Sequence, residues 1–166
     1  MSAIKCLGFL AAIAMMLGIA TDSFAQLAKQ GKFEVIGTFD VTVIESHKFG
    51  DHTINAVRAT GINLNKSGSG FMHNTTTVCM LVGIPGSFQA YCTTTDADGD
   101  YIFHHNFIDK EFALGTSGGG RKMVILGGTG KYKGITGEAP YEAIYAPKVE
   151  GKLMGHTVLS GEYRIP

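Results

Sequence analysis

The chain of 166 residues is 45% hydrophobic and 17% charged, and its 14 basic side chains balance its 14 acidic ones. A length near 150 predicts a single domain, and zero net charge gives no electrostatic basis for binding nucleic acid or an anionic membrane surface. The 23 glycines and ten phenylalanines are too many for a disordered linker or a long helical bundle.

The N-terminal segment has the layout of a secretory signal peptide. Lys5 supplies a positive charge, an apolar run extends from Leu7 to Ala20, and Ser23-Phe24-Ala25 places small residues before a cut at Gln26. The run is shorter than the ~18–20 apolar residues that a spanning helix needs, and an uncleaved membrane anchor is the alternative. We therefore predict export, to the periplasm or out of the cell. The expected boundaries are 1–25 for the signal peptide and 26–166 for a single domain.

Alternation of apolar and polar residues with period two dominates the rest of the chain and predicts strands. Eight antiparallel strands with short connections form a closed barrel or a two-sheet sandwich, and glycines within strands favour the strong curvature of a barrel. We therefore predict an all-β fold, an eight-stranded antiparallel β-barrel, with one short helical turn near 108–114. The predicted strands are 33–43, 53–64, 71–82, 87–95, 101–107, 121–126, 135–145 and 152–163.

Two cysteines, Cys79 and Cys92, follow the predicted cleavage site. Pro85-Gly86 between them suits the centre of a tight turn, because Pro presets φ and Gly accepts a positive φ. If these two residues form the turn, the cysteines face each other across two antiparallel strands, near disulfide reach. An oxidising compartment permits the bond. Two buried free thiols are the alternative.

A second hairpin is expected at Asp96-Ala97-Asp98-Gly99-Asp100, where Asp-Gly favours a two-residue turn. Its alternating carboxylates resemble a calcium loop, but the glycine falls at loop position four instead of six, and Phe107 stands where the loop needs Glu. A turn is therefore the preferred interpretation, and weak calcium binding is the alternative.

The segment from Gly127 to Gly137, Gly-Gly-Thr-Gly-Lys-Tyr-Lys-Gly-Ile-Thr-Gly, fits no phosphate-binding loop. Ile125 and Tyr132 stand where a P-loop needs Gly and Ser or Thr, and a β-rich segment follows instead of a helix. The segment resembles the signature loop of the allene oxide cyclase and dirigent barrel superfamily. Tyr132 stands where that family usually has Phe, and neither the cyclases' strand-one Glu nor the dirigent acidic and Arg pattern can be matched here.

The resemblance implies an eight-stranded antiparallel barrel with an apolar cavity, assembled as a homo-oligomer, often a trimer. It further implies chemistry on oxylipins or phenoxy radicals that needs no metal and no organic cofactor. We therefore expect no cofactor, and a small apolar molecule as the partner.

The histidines are the first site candidates. His104 and His105 are adjacent, so they point to opposite faces of a strand and cannot bind one metal ion; no metal site is predicted. His105, His73 and Glu34 are candidate catalytic residues, since His73 and His105 could meet inside the barrel near Glu34 or Asp40 and His titrates near neutral pH. Satisfied or exposed histidines are the alternative.

Aromatic residues on strand faces are candidates to line a cavity, with core packing as the alternative. The inward face of the first strand is expected to carry Phe33, Val35, Phe39 and Val41. The candidate ligand-binding residues are Phe39, Tyr101, Phe103, Tyr141 and Tyr145.

Three functions remain open. The first is an exported barrel that binds a small apolar ligand, lipid-like or phenolic, in its cavity. The second is a cofactor-free cyclase or isomerase, which differs by a strongly perturbed titratable group in the same cavity. The third is a structural or interaction barrel with a filled interior.

Overall fold

The computed structural model describes residues 27–84, 86–108, 114–147 and 152–166. Each strand pairs antiparallel with the next, and β8 pairs with β1, so the sheet closes into a barrel. The predicted eight-stranded antiparallel barrel is confirmed. The strands are β1 Gln30–Phe49, β2 His52–Asn65, β3 Thr75–Ile84, β4 Ser87–Thr95, β5 Tyr101–Ile108, β6 Gly118–Gly128, β7 Thr136–Tyr145 and β8 Leu153–Arg164, with a 3-10 turn at Gly130–Tyr132.

Two sequence predictions fall on residues outside this description. The first is the signal peptide at 1–25. The second is the short helical turn near 108–114, of which residues 109–113 lie outside the described ranges. Among the residues described, no helix is long enough and apolar enough to cross a membrane.

Two apolar clusters occupy the ends of the barrel interior, because alternate residues of every strand point inward. On β1 the inward residues are Phe33, Val35, Gly37, Phe39 and Val41, as the alternation predicts. One cluster lies at the end where β1 begins, and the turn that follows β2 and the 3-10 turn help to close that end. Its members are Phe33, Val35, Phe71, Met72, Ile102, Met123, Ile125, Tyr132, Ile135, Ala139, Tyr141, Leu159, Tyr163 and Ile165.

The second cluster lies at the opposite end, built around Val57, Leu81, Phe88, Ala90, Cys92 and Ile108. Beyond it, the β1–β2 hairpin projects from the barrel, since β8 pairs with β1 only as far as Val41 and β3 pairs with β2 only from Asn55. Val43, which shares the inward alternation, is therefore exposed on this arm.

The predicted disulfide between Cys79 and Cys92 is present. Ile84 pairs with Ser87, so the connection between β3 and β4 has two residues, and Cys79 pairs with Cys92 as the tight-turn register requires. Gly86 has a φ of 79°, a conformation that glycine adopts without strain. The bond joins two inward-facing side chains and closes a loop with a sequence separation of 13.

Removing this cross-link should lower the free energy of unfolding by about 3 kcal/mol, the chain-entropy value for a loop of this length. The change is Cys79→Ala together with Cys92→Ala, and the measurement is urea unfolding of both proteins with and without reductant. Reductant should destabilise the natural protein and leave the double variant unchanged. Two titratable thiols in the unfolded, unreduced protein would contradict the bond.

Candidate functional site

A small cavity of about 80 Å³ lies in the barrel interior between the two apolar clusters. The polar side chains that line it include Asn63 from β2, Thr77 from β3, His104 and Asn106 from β5, and Thr157 from β8. Phe39, Tyr141 and Leu159 supply apolar wall on other sides. The cavity is therefore a polar layer inside an otherwise apolar barrel.

A continuous chain of hydrogen bonds crosses this layer. The Asn63 Nδ2 atom donates to Thr77 Oγ1 at 2.7 Å, and Thr77 Oγ1 lies 2.7 Å from Thr94 Oγ1. Thr94 Oγ1 lies 2.9 Å from His104 Nε2, and His104 Nδ1 lies 2.9 Å from Asn106 Oδ1. We call Asn63, Thr77, Thr94, His104 and Asn106 the central polar chain. Since a buried polar group without a partner is costly, these bonds make the layer tolerable in the core.

His104 is a titratable group of the cavity whose pKa is shifted by burial. Complete burial lowers the pKa of this imidazole from 6.5 to about 4, and the hydrogen bond with Asn106 offsets only part of that effect. His104 is therefore neutral at physiological pH. Because Asn106 Oδ1 can only accept, Nδ1 of the neutral ring carries the proton and Nε2 accepts from the Thr94 hydroxyl.

A groove of about 690 Å³ runs over the outer surface of β8, β1, β2 and β3 beside the cavity. Its surface is mostly apolar, and Phe39, Ile62, Val78 and Met154 are among the residues that line it. The groove and the cavity adjoin along a shared wall. The residues that line both are Thr38, Phe39, Thr60, Gly61 and Thr77.

This wall lies where the pairing of β1 with β2 is locally altered. The Cα register includes Gly37 with Asn63 and Asp40 with Thr60 but skips the residues between. There the Ile62 N–H donates to Thr38 Oγ1 at 3.2 Å. A Cβ on Gly61 would lie 1.7 Å from the Thr38 carbonyl oxygen, so only glycine permits this close approach. The wall at this point is backbone, with no side chain of Gly61 between groove and cavity.

Three of the five candidate ligand-binding residues lie on the inner side of the barrel. Phe39 and Tyr141 line the cavity. Tyr145 packs edge-on against Phe39, with ring centroids 5.0 Å apart. Burial raises the pKa of both Tyr141 and Tyr145, so their hydroxyls stay protonated.

The other candidates lie elsewhere. Tyr101 and Phe103 are exposed on the outer face of β5. His105 is on the same face, where its ring stacks between Tyr91 and Phe107 and Nε2 lies 2.5 Å from Gln89 Oε1. The expectation that His105 points into the barrel is therefore corrected.

Glu34 and His73 do not reach the barrel interior either. Glu34 is exposed and forms an ion pair with Lys66 at 2.9 Å. His73 is half-buried in the turn between β2 and β3, where it lines a depression on the surface. Its Nδ1 atom has no hydrogen bond within the part of the chain that the structure describes. The structure therefore does not bring His73 together with His105 or Glu34.

The alternation places His105 on one face of β5 with Tyr101, Phe103 and Phe107 and places His104 on the other, and the length of the preceding hairpin decides which face points inward. A two-residue turn at Asp98-Gly99 would pair Cys92 with His105. The observed connection is longer: Thr95 pairs with Tyr101, so Cys92 faces His104. A shift of one residue moves every side chain of a strand to the other face. The inward-facing disulfide, combined with the correct hairpin length, would have identified His104.

The Asp96–Asp100 hairpin and the glycine-rich segment pack against each other. Lys131 Nζ lies 2.7 Å from Asp96 Oδ2 and also pairs with Asp98, while its backbone N–H donates to Asp100 Oδ2 at 3.1 Å. A Cβ on Gly130 would overlap the Asp100 carboxylate. Burial raises the pKa of Asp96, but hydrogen bonds, first those with Lys131 and Tyr132, hold it below 3.8.

The ammonium group of Lys131 thus pairs with two of the three carboxylates that suggested a calcium loop, and its backbone N–H binds the third. Within the described ranges, no group of three or more His, Cys, Asp or Glu side chains is arranged to hold a metal ion. The two sequence motifs therefore act together as a structural contact at the closed end of the barrel.

Comparisons with known proteins bear on the fold alone. No family model matches the chain, and no curated protein matches it. Among solved structures, the barrel is similar to that of a pterocarpan synthase dirigent protein, with 11% sequence identity, coverage of 85% of this chain and 90% of that chain, and a TM-score of 0.47. The resemblance to allene oxide cyclases stays a prediction, and the function has to be argued from the site.

His104 should make stability depend on pH between about 6.5 and 4. The unfolded chain binds a proton at this imidazole below pH 6.5, whereas the folded protein does so only near pH 4. The free energy of unfolding should therefore be fully present above pH 6.5 and fall by about 3 kcal/mol as the pH drops to 4, at about 1.4 kcal/mol per pKa unit.

Urea unfolding at pH 7, 6, 5 and 4 measures this loss, and His104→Gln should flatten the curve. The matched control is His105→Gln on the outer face of the same strand, which leaves His104 in place and should keep the loss. Parallel curves for the natural protein and His104→Gln would show that the imidazole is not the cause.

Proposed function

We propose that the protein is an exported barrel that binds a small molecule, with the polar end of the ligand in the central cavity and its apolar body in the groove. The observation that carries the proposal is the wall shared by the cavity and the groove, beside the central polar chain. Binding sites commonly combine apolar surface with a few polar groups that fix orientation.

The volumes of the cavity and the groove determine which part of the ligand each can hold. A cavity of about 80 Å³ is smaller than the ~150 Å³ cavity that holds benzene and compares with two or three water molecules at about 30 Å³ each. A phenolic ring or lipid chain therefore does not fit inside as the cavity stands. The groove of about 690 Å³ can cover such a body, and burial of its apolar surface would drive binding.

The lining of the cavity favours an uncharged ligand end. Among the residues that line it there is no Lys, Arg, Asp or Glu, and His104 is neutral. Burying an ion without a partner of opposite charge costs far more than burying a hydrogen-bonded neutral group. Export is supported separately by the disulfide, since such bonds persist in oxidising compartments.

Filling the cavity should abolish binding. Ala59 lines the cavity, so Ala59→Leu places a side chain where the polar end would lie. The matched control is Ala56→Leu on the same strand, where Ala56 pairs with the outward-facing Val82. Calorimetric titration with 1-octanol and with octyl methyl ether measures the affinity, and native mass spectrometry of protein from its own host shows any co-purifying molecule.

Binding of either compound that is lost in Ala59→Leu and kept in Ala56→Leu supports the proposal. Binding that is equal in both variants would place the ligand elsewhere. The absence of binding by either compound, together with a clean apo mass, would overturn the proposal and favour the filled structural barrel.

A cofactor-free isomerase is the second candidate, and the lowered pKa of His104 in the cavity favours it. Thr77 and Thr94 connect His104 Nε2 with the cavity wall and would carry a proton between ligand and imidazole. His104→Gln should then abolish turnover of any substrate found and leave its binding measurable. Unchanged kinetics in this variant would remove His104 from the reaction.

The third candidate, an interaction barrel, is favoured by apolar side chains on the outer face of β3, β4 and β5. Val78, Met80, Val82, Tyr91 and Phe103 are exposed there. Such a surface would suit the homo-oligomer that the family resemblance implies.

A further inference from the structure

Resting on the proposed function, we infer that the cavity selects a ligand that ends in a neutral hydroxyl group, and that Thr77 Oγ1 accepts the hydrogen bond which this hydroxyl donates. The inference comes from the direction of the hydrogen bonds in the central polar chain. Each bond constrains the next, so the atom at the cavity wall is left with one defined role.

The direction is set at His104. Asn106 Oδ1 is an acceptor only, so the single proton of the neutral imidazole lies on Nδ1. Nε2, 2.9 Å from Thr94 Oγ1, therefore accepts the Thr94 proton. With its own proton used, Thr94 Oγ1 can interact with Thr77 Oγ1 at 2.7 Å only by accepting from it.

Thr77 has consequently one free position for a ligand, and that position is an acceptor. A hydroxyl group has one proton and two lone pairs. The Thr77 proton is donated to Thr94, and one lone pair accepts from Asn63 Nδ2 at 2.7 Å. The remaining lone pair is free to accept from a donor, and Thr77 lines both the cavity and the groove, so a ligand that occupies both spaces meets this atom.

A ligand hydroxyl matches the donors and acceptors that line the cavity better than the other common end groups do. Asn106 Nδ2 has two N–H groups, of which one points to Cys92 Sγ at 3.7 Å, so the other can donate to the oxygen of the ligand. An ether oxygen presents only lone pairs and leaves Thr77 without a donor. A carboxylate in addition brings a negative charge into a lining without a positive side chain.

Three probes of similar length test the inference on the natural protein: 1-octanol, octyl methyl ether and octanoate at pH 7. Calorimetric titration should show 1-octanol binding at least about fivefold more tightly than the ether, the ratio expected for one hydrogen bond of about 1 kcal/mol. Octanoate should bind more weakly than 1-octanol. The isotope-edited NMR signal of His104 Nε2 should shift when 1-octanol binds, since the bond to Thr77 is transmitted through Thr94.

Three variants assign the preference to Thr77. Thr77→Val removes the hydroxyl with little change of shape and should abolish the preference for the alcohol, while Thr77→Ser keeps the hydroxyl and should retain it. Thr93→Val is the matched control on β4, because Thr93 faces outward and lines neither space. If Thr77→Val does not fold, the probe series on the natural protein and on Thr77→Ser still tests the preference for a hydroxyl. The shift of the His104 Nε2 signal then tests the role of Thr77.

The outcomes separate this inference from the proposed function. Equal or tighter binding of the ether overturns the hydroxyl preference but leaves the binding function standing. Tighter binding of octanoate overturns it as well. A preference for 1-octanol that persists in Thr77→Val contradicts the role of Thr77. Failure of all three probes to bind, together with a clean apo mass of protein from its own host, overturns the proposed function, and the inference with it.

Discussion

The constraint on which the rest of the structure depends is the need to satisfy polar groups in the middle of an apolar barrel. The interior has an apolar cluster at each end, and the central polar chain lies between them. Inside such a core an unpaired donor or acceptor is costly, because no bulk water replaces the missing partner. The residues of the central polar chain meet this requirement by bonding to one another. The cavity beside them is where further hydrogen bonds can form.

The same constraint defines where a ligand can approach. At one end of the barrel, Phe71 and Tyr132 pack into the apolar cluster, and the ion pair of Lys131 with Asp96 holds the glycine-rich segment against the neighbouring hairpin. At the side, Thr38 Oγ1 accepts a hydrogen bond from the Ile62 N–H, and Gly61 adds no side chain to the wall. The groove beside this wall therefore offers the shorter approach to the central polar chain.

Several conclusions depended only on local chemistry and followed from the sequence. Alternation identified the eight strands and the inward face of β1, since period two fixes which residues share a face. The pair of turn residues at 85 and 86 fixed the register of β3 with β4, and this register alone brought Cys79 opposite Cys92. The candidate site was predicted less well: Phe39 and Tyr141 line the cavity, whereas His105 and Glu34 face outward.

What the sequence by itself determined was an all-β chain with many tight turns and a cross-strand disulfide, because hydrophobic period and turn residues act within a few positions of one another. Only the structure decided which face of β5 points inward. The connection after Thr95 is longer than two residues, so the set of residues with His104 points inward and the set with His105 points outward. The structure also decided that Lys131 meets Asp96, 35 positions earlier in the chain, and that the cavity is small. The contact of Lys131 with Asp96 and the size of the cavity depend on the assembled barrel, which brings residues distant in the chain next to one another.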